Sequence, residues 1–437
     1  MANNPALDLH QRIGQHMIND VMQIVPDLES SSGNYLVDAR TGRKYLDCIS
    51  YFASNAIGYN HPSLFDPRFE KELLFAARSK PSNSDFFTVE MGAFVEKFAR
   101  YAKPDAFKYL FFIEGGGLAV ENALKTAFDW KIRKNQKKGI KGEFGTKVLH
   151  FREAFHGRTG YTMSLTNTAD ARKTKFYPRF EWPRVTNPKI AFPLGPENLA
   201  AVEQAEKDSL GEINAYFDRY GDDIAAIIIE TIQGEGGDNH FRPEFHQALR
   251  RIADEREALL IYDEVQTGLG LTGRMWAYEH YGMIPDIVCF GKKTQVCGIM
   301  VGTRVDEVDN HVFREGSRIN STWGGGLADM VRCGRILEVI NQDSLLNNAK
   351  EVGDYLLSSL QQLATKNSAL SNVRGKGLMC AFDLGDAALR GEAIRKIQDK
   401  GALVFACGVS SIRLRPALTF SREDVDSLSQ IIDEALR

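Results

Sequence analysis

The segment ALLIYDEVQTG, residues 258–268, is followed along the chain by PDIVCFGKK, residues 285–293. In each segment an unbroken apolar run ends in residues that can carry chemistry, Asp263 in the first and Lys292 with Lys293 in the second. An apolar run without polar alternation is typical of a strand buried on both faces, as in a parallel sheet covered by helices. The two segments therefore predict an α/β fold with candidate functional residues at the carboxyl ends of its strands.

The same pattern of short apolar runs separated by helical periods repeats from about residue 67 to residue 299. A hairpin is predicted earlier in the chain, where GNYLVDARTGRKYLDCIS, residues 33–50, alternates around a turn. After residue 330, strands again alternate with helices. We therefore predict a large domain over residues 67–329 and a smaller α+β domain built from residues 1–66 and 330–437. The predicted strands of the large domain are residues 109–113, 148–151, 224–229, 258–262, 287–290 and 299–303.

The composition limits the classes of protein that need to be considered. The chain has 437 residues, 43% of them apolar, and its 54 basic and 57 acidic side chains give a net charge of −3. This balance argues against a nucleic-acid partner, which requires a basic face. The cations within residues 131–141 are interpreted as the solvated end of a helix. No apolar run approaches the ~20 residues that span a bilayer, so no membrane partner is expected.

The cysteines indicate the cellular compartment. The six cysteines form no CxxC motif and lie mostly in apolar stretches, which is typical of free thiols in a reducing cytoplasm. The N-terminal residues lack a basic start followed by an apolar run, so no signal peptide is expected. We predict a cytoplasmic protein without a metal site.

Two further strand ends carry groups suited to a ligand. The glycines at residues 115–117 lead into the helical pattern LAVENALK, and free N–H groups at a helix start bind anions such as phosphate. Residues 230–237, ETIQGEGG, place polar groups on a glycine-rich loop. Each feature alone also has a structural explanation. In that explanation the glycines would make tight turns, Asp263 would cap a helix, and Lys292 and Lys293 would extend into solvent.

The segment GLGLTG, residues 268–273, matches the GxGxxG pattern of dinucleotide-binding folds. In that fingerprint the glycines directly follow the strand, and an acidic residue ends another strand about 20 positions later. Here residues 263–267 come between the strand and the glycines, and the candidate acid, Asp286, begins a strand. The motif therefore does not favour a nicotinamide site.

Six segments together resemble one family. EGGGLAVENALK, AFHGRTGY, QGEGG, DEVQTGLGLTG, PDIVCFGKK and NSTWGG occur in the order seen in class III aminotransferases, and the resemblance extends from before Tyr51 to Arg413. It implies fold type I of the pyridoxal-phosphate enzymes, an α/β fold with a mostly parallel seven-stranded sheet in its large domain. It also implies pyridoxal 5′-phosphate as the cofactor and a homodimer. The glycines at 115–117 depart from the hydroxyl-bearing phosphate loop common in the family.

The resemblance implies roles for individual residues. Lys292 matches the lysine that carries the cofactor and shuttles a proton, and Asp263 matches the acid that pairs with the pyridine nitrogen, so both are implied to be catalytic. Lys293 is implied to be a neighbour without a catalytic role. The other residues implied to bind the cofactor are Gly116 and Gly117 at the phosphate, Phe155 and Val265 against the ring, Gln266 near the ring hydroxyl, and Thr322, which the neighbouring subunit supplies to the phosphate.

Five segments, FASNAIGYNHP, KPSNSD, HFRPEF, FGKKTQVCG and RLRPALT, are most similar to the branch of this family that acts on L-lysine. The implied reaction moves the ε-amino group of L-lysine to 2-oxoglutarate in two half-reactions, yielding L-2-aminoadipate 6-semialdehyde and L-glutamate. Arg158 resembles the residue that binds the distal carboxylate, and Arg413 resembles the one that binds the α-carboxylate of the keto acid. Glu235 resembles a gate that pairs with Arg413 while lysine is bound.

Two alternative functions stay open. Ornithine is lysine short of one methylene, and a pocket discriminates a methylene by only ~1–3 kcal/mol, so another ω-aminotransferase acting on ornithine or 4-aminobutyrate is the nearer alternative. The other is a binding protein that kept the fold without turnover. The presence of Lys292, Asp263 and Gln266 argues against it, because a protein without catalysis does not need all three.

Overall fold

A computed structural model describes residues 4–20 and 22–437. The strands are β1 Pro26–Ser32, β2 Tyr35–Asp38, β3 Lys44–Asp47, β4 Phe107–Ile113, β5 Lys147–Phe151, β6 Arg184–Val185, β7 Ile224–Glu230, β8 Leu259–Asp263, β9 Ile287–Phe290, β10 Cys297–Gly302, β11 Ser371–Lys376, β12 Met379–Asp383, β13 Ala402–Leu403, β14 Phe405–Cys407 and β15 Ser411–Leu414. The α-helices are Leu9–Gly14, Pro67–Arg78, Val89–Tyr101, Gly116–Lys137, Thr162–Leu165, Pro196–Tyr220, Pro243–Glu255, Leu327–Gln342, Leu345–Lys366, Ala387–Lys400 and Arg422–Leu436, and residues 50–53 form a left-handed turn. Within this described part of the chain, no helix is both long and apolar enough to cross a membrane.

The central sheet has seven strands in the order β4-β10-β9-β8-β7-β5-β6. The pairs β6–β5, β5–β7, β7–β8 and β8–β9 are parallel, and β10 runs antiparallel to both of its neighbours. The predicted mostly parallel α/β sheet is therefore confirmed. The predicted strand bounds differ from the observed ones by no more than a few residues, and β6 is an additional strand.

The sheet is buried on both faces, which explains the apolar runs. In β7 every residue is buried. Ile227 and Ile229 join the larger hydrophobic core on one face, and Ile228 joins a second core on the other. The helix Gly116–Lys137 supplies Val120, Leu124 and further residues to that second core. Burial from both sides removes the polar alternation that a half-exposed strand would require.

Two smaller sheets are formed by the ends of the chain. One has the order β1-β2-β3-β13, and its antiparallel pair β2–β3 is the predicted hairpin. β13 lies parallel to β3, with Ala402 opposite Leu46, so this sheet joins an N-terminal segment to a C-terminal one. The other sheet has the order β11-β12-β15-β14. The domain boundaries at residues 66 and 330 stay a prediction.

Lys131 corrects the interpretation of the basic run as a solvated helix end. Its side chain is fully buried, and its ammonium donates to Asp222 Oδ1 at 2.9 Å and to the carbonyl of Glu257 at 3.0 Å. Burial lowers the pKa of Lys131, while the hydrogen bond to Asp222 opposes that shift. This lysine therefore joins the end of the helix Gly116–Lys137 to the segments before β7 and β8.

Candidate active site

A cavity of about 190 Å³ lies at the carboxyl ends of β7, β8 and β9. This is the edge of the sheet at which α/β folds bind ligands. Of the eight residues predicted to bind the cofactor, all except Thr322 line it. The lining residues are Gly116, Gly117, Phe155, His156, Gly157, Glu230, Asp263, Val265, Gln266 and Lys292.

Asp263 is a buried carboxylate at the last position of β8. Its Oδ2 lies 2.8 Å from Nδ1 of His156, and its Oδ1 accepts the N–H of Val265 at 3.0 Å. The imidazole of His156 is also buried, and its Nε2 has no hydrogen-bond partner among the described residues. The role of His156 could not be predicted from the AFHGRTGY segment alone, because Asp263 is 107 residues away in the chain. The histidine fixes the orientation of the carboxylate.

Lys292 follows β9 and has a φ of +50°, an uncommon backbone conformation for a side-chain-bearing residue. Burial lowers the pKa of Lys292, Asp263 opposes this shift, and Arg413 adds to it. The alternative explanation, in which Lys293 extends into solvent, is wrong. It is fully buried, its Nζ has no hydrogen-bond partner in the described part of the chain, and burial lowers its pKa well below the usual range. Of the two lysines, only Lys292 lines the cavity.

The helix Gly116–Lys137 begins at the cavity without a capping side chain. Its N-cap residue, Gly115, has a φ of +92° and makes no side-chain cap hydrogen bond. A Cβ on Gly116 would lie 2.9 Å from Val265 Cγ1, so only glycine lets these two segments approach so closely. The first N–H groups of the helix are free to bind an anion, and this geometry fits a phosphate without hydroxyl donors from residues 115–117.

Glu230 ends β7 beside Asp263 in the sheet register. Its carboxylate accepts the N–H groups of Phe155 at 2.8 Å and Gly234 at 2.9 Å. Burial raises the pKa of Glu230 to about 7; His156 opposes this rise and the charge of Asp263 adds to it. Glu230 was predicted at a strand end but not as a residue of the cofactor site, where the structure places it. One of its two partners, Phe155, is 75 residues away in the chain, whereas Gly234 is only four residues away.

We expect Glu230→Gln to change the pH dependence of stability. The pKa of Glu230 is about 7 in the folded protein against 4.5 for an unperturbed side chain, so the folded wild type binds the extra proton and loses stability as the pH rises through this interval. Glutamine has no such proton. Relative to wild type, the variant should gain on the order of 2 kcal/mol in unfolding free energy between pH 5 and pH 8. Urea unfolding at both pH values measures this difference.

The control for that measurement is Glu392→Gln, at an exposed carboxylate whose pKa is lowered by its hydrogen bond to Lys396. No gain in stability with rising pH is expected there. A pH-independent difference between Glu230→Gln and wild type would mean that Glu230 is ionised throughout this range.

Gln266 connects the cavity to two arginines, Arg413 in β15 and Arg415 directly after that strand. Its Oε1 accepts hydrogen bonds from Arg413 at 3.0 Å and from Arg415 at 3.2 Å. Arg415 is buried and also pairs with Asp238 through both of its terminal nitrogens. Nε of Arg413 has no hydrogen-bond partner among the described residues. Arg415 is thus occupied structurally, whereas Arg413 keeps hydrogen-bonding capacity for a ligand.

The predicted pairing of Glu235 with Arg413 is not the arrangement in this structure. Glu235 Oε1 instead accepts hydrogen bonds from Lys173 Nζ at 2.6 Å and from Thr168 Oγ1 at 2.7 Å. The glycines around it serve close packing, since a Cβ on Gly234 would lie 2.5 Å from the Gln266 side chain. This close approach leaves no room for a side chain at residue 234, and the role of Glu235 as a gate stays a prediction.

Arg158 is exposed and forms no ion pair with any residue that the structure describes. It lines a second cavity of about 520 Å³ together with Lys173, Tyr177 and neighbouring residues. A free guanidinium in such a position can bind a carboxylate through two parallel hydrogen bonds. The predicted role of Arg158 in substrate binding stays a prediction that fits this position.

Thr322 lies outside the cavity, in an exposed loop. The carbonyl of Thr322 accepts a hydrogen bond from Ser82 Oγ at 2.5 Å.

The GxGxxG glycines are also outside the cavity. Residues 264–276 form turns with no helix, so the structural context of a dinucleotide fingerprint is absent there. No group of three or more metal-ligating side chains occurs in residues 4–20 and 22–437.

Comparison with known proteins places this site in a family. The model of the class-III aminotransferases matches residues 17–436, and the chain belongs to that family. The cofactor of these enzymes is pyridoxal 5′-phosphate. The cavity fits this molecule: it offers an uncapped helix start for the phosphate, a buried carboxylate for the ring nitrogen and an amine for the aldehyde.

Individual relatives cover nearly the whole chain. An L-lysine-epsilon aminotransferase of Mycobacterium tuberculosis is 51% identical over 98% of this chain and 95% of its own length. An L-lysine-epsilon aminotransferase of Streptomyces clavuligerus is 47% identical, over 99% and 94%. A solved structure of a lysine aminotransferase from M. tuberculosis, in the internal aldimine form, superposes with a TM-score of 0.96 at 50% identity over 98% of each chain. The predicted fold type I is confirmed.

Proposed function

We propose that this chain is an L-lysine 6-transaminase, which transfers the ε-amino group of L-lysine to 2-oxoglutarate. The observation that carries the proposal is the single cavity that brings together Lys292, Asp263 and the open start of the helix Gly116–Lys137. The substrate assignment is supported by 46–51% identity to several L-lysine-epsilon aminotransferases, against 31–32% to 4-aminobutyrate aminotransferases. The products are L-2-aminoadipate 6-semialdehyde and L-glutamate.

Bound pyridoxal phosphate supplies an electron-accepting ring that stabilises negative charge on the carbon bearing the amino group. The protein supplies the proton transfers. The lowered pKa of Lys292 keeps more of its amine neutral, so that it can take a proton from that carbon and return it. Asp263 holds a proton on the ring nitrogen by its negative charge, and His156 orients Asp263 through the 2.8 Å contact. Phe155 and Val265 provide apolar surface on the cavity wall.

The two arginines divide the carboxylates between them. Lysine reacts at its ε-amino group and therefore places its α-carboxylate far from the reacting atom, which suits Arg158. 2-Oxoglutarate reacts at its α-carbon, so it presents one carboxylate next to the reacting atom and one at a distance. Arg413 lies close enough to Lys292 to lower its pKa and therefore suits the near carboxylate. Arg158 then takes the distal one.

A half-reaction assay tests the proposed amino donor. The purified protein loaded with pyridoxal phosphate is mixed with L-lysine, L-ornithine or 4-aminobutyrate in the absence of keto acid, and the absorbance of the cofactor is followed. L-lysine should convert the cofactor to its amino form fastest. Faster conversion by ornithine or 4-aminobutyrate would assign the chain to another ω-aminotransferase, and no conversion by any amine would support a binding protein.

The proposal includes a homodimer in which Thr322 completes the phosphate site of the partner subunit. Thr322 is exposed and lies apart from the cavity of its own subunit. The segment that begins at Ser82, whose hydroxyl donates to the Thr322 carbonyl, leads to three exposed apolar side chains. Phe86, Phe87 and Val89 are 71%, 84% and 87% exposed. Apolar groups concentrated in this way are typical of a protein–protein interface.

Mixing two defective subunits tests this assignment. Thr322→Ala should weaken cofactor binding about tenfold through loss of a phosphate hydrogen bond, and Lys292→Met should be inactive. In a dimer of one subunit of each kind, one site has Lys292 and the partner's intact threonine. Random reassociation should therefore recover about one quarter of wild-type activity at limiting cofactor. No recovery would mean that Thr322 acts in its own subunit.

The proposal also places the enzyme in the cytoplasm. The six cysteines are all buried and unpaired, which suits a reducing compartment. Burial raises the pKa of several of them, Cys333 and Cys407 among them, so these thiols are poor nucleophiles and resist oxidation. Their role is packing within the core.

A further inference from the structure

The partner of Glu235 in this structure is Lys173, a residue outside the cofactor cavity. The ammonium of Lys173 lies 2.6 Å from Glu235 Oε1, which also accepts the hydroxyl of Thr168. The other carboxylate oxygen, Oε2, is buried and has no hydrogen-bond partner in the described part of the chain. Lys173 and Glu235 are 62 residues apart, so the tertiary fold creates the pair.

This ion pair lies beside the substrate site. Lys173 Nζ is 5.9 Å from the centre of the Phe155 ring, which lines the cofactor cavity, and Lys173 lines the larger cavity with Arg158. On the other side, Gly234, next to Glu235 in the chain, packs against the Gln266 side chain that binds Arg413. The charge of Glu235 is therefore positioned between the regions that handle the two carboxylates.

We propose that Lys173 is a specificity-determining positioning residue that neutralises and holds Glu235, so that a dianionic keto acid can bind. The proposal rests on the proposed function, which supplies the two substrates. These carry opposite net charges at neutral pH: L-lysine is a monocation and 2-oxoglutarate is a dianion. A carboxylate without its counter-ion repels the keto acid and attracts lysine. With Lys173 in place, the pair has no net charge and both substrates can enter.

The same geometry explains why Lys173 acts through Glu235 rather than on the substrate. Its ammonium is engaged at 2.6 Å with the carboxylate, whereas Arg158 in the same cavity has no ion-pair partner among the described residues. A lysine that bound carboxylates directly would favour both substrates equally, since each presents a distal carboxylate. Neutralisation of Glu235 affects them in opposite directions.

The test compares Lys173→Met, Lys173→Arg, Glu235→Gln and the double variant Lys173→Met/Glu235→Gln. Lys173→Met should raise the KM for 2-oxoglutarate about tenfold. Its kcat should stay within about twofold of wild type, and its KM for lysine should stay within about twofold or fall. Lys173→Arg should retain the wild-type values. The double variant should recover the KM for 2-oxoglutarate, because it removes the uncompensated carboxylate. Lys400→Met, which breaks the remote pair with Glu434, is the matched control.

Glutarate binding, measured by calorimetry on the cofactor-loaded protein, provides a second readout that needs no turnover. Lys173→Met should weaken glutarate binding about tenfold, and the double variant should restore it. An unchanged affinity, an equal rise in KM for lysine and 2-oxoglutarate, or no recovery in the double variant would overturn the proposal. If wild type binds glutarate with this dependence on Lys173 but does not transaminate lysine, the proposed function fails and the role of Lys173 stands.

Discussion

Replacing Lys292 with Met should abolish transamination and covalent attachment of pyridoxal phosphate, whereas replacing Lys293 with Met should leave both intact. Activity should fall by on the order of 10⁴-fold or more, because one side chain carries the cofactor and moves the proton. Both lysines follow β9, and both have a lowered pKa. Of the two, only Lys292 lines the cavity, and that difference decides the result.

Borohydride reduction followed by peptide mass analysis measures the attachment directly. The cofactor adduct should map to Lys292 in wild type and in Lys293→Met, and should be absent from Lys292→Met. Lys293→Met is a suitable control because it replaces a buried amine that has no hydrogen-bond partner in the described part of the chain. Attachment at Lys293, or its survival in Lys292→Met, would contradict the assignment.

Replacing Asp263 with Asn should lower the rate of the lysine half-reaction by about 10³-fold while leaving the cofactor attached. Asparagine has nearly the same shape and can still accept a hydrogen bond from His156, but it lacks the negative charge that favours a proton on the ring nitrogen. The expected loss is that of a charge interaction in a buried site. Stopped-flow absorbance with L-lysine measures the rate, and the absorbance before mixing reports attachment.

Asp286→Asn is the matched control for that experiment. Asp286 is also buried and lies one strand away, but it pairs with Arg250 at 3.0 Å and with Arg304 at 3.1 Å, outside the cavity. Its replacement should lower stability through the loss of these partners and leave the rate of the half-reaction within about twofold. Equal losses of rate in the two variants would mean that Asp263 serves the fold and not the chemistry.

The sheet could be predicted where the sequence has unbroken apolar runs, as in β7, β8 and β9, because both cores require such runs. β6, Arg184–Val185, is too short to produce a pattern. β11, Ser371–Lys376, carries mostly polar residues and gave no apolar signal. The antiparallel direction of β10 was also not evident, since a strand buried on both faces has the same composition in either direction.

Some residues of the candidate site could also be predicted from the sequence, and others could not. Lys292, Asp263 and the glycines at residues 115–117 were found because each follows a recognisable strand, and strand ends meet at one edge of a sheet. His156 and Glu230 were missed because their roles depend on Asp263 and Phe155, residues 75 to 107 positions away. The partners of Lys131 and the ion pair of Glu235 with Lys173 were missed for the same reason, and the pairing of Glu235 with Arg413 while lysine is bound stays a prediction. Ion pairs between distant segments leave no local pattern.

Isotope transfer tests the central claim most directly. Lysine labelled with ¹⁵N at the ε-amino group is incubated with 2-oxoglutarate and the cofactor-loaded protein, and the glutamate formed is analysed by mass spectrometry. In a parallel reaction the label is at the α-amino group. We predict that the ε-label appears in glutamate and the α-label does not. Glutamate that carries the α-label, or no labelled glutamate from either substrate, would contradict the assignment as an L-lysine 6-transaminase.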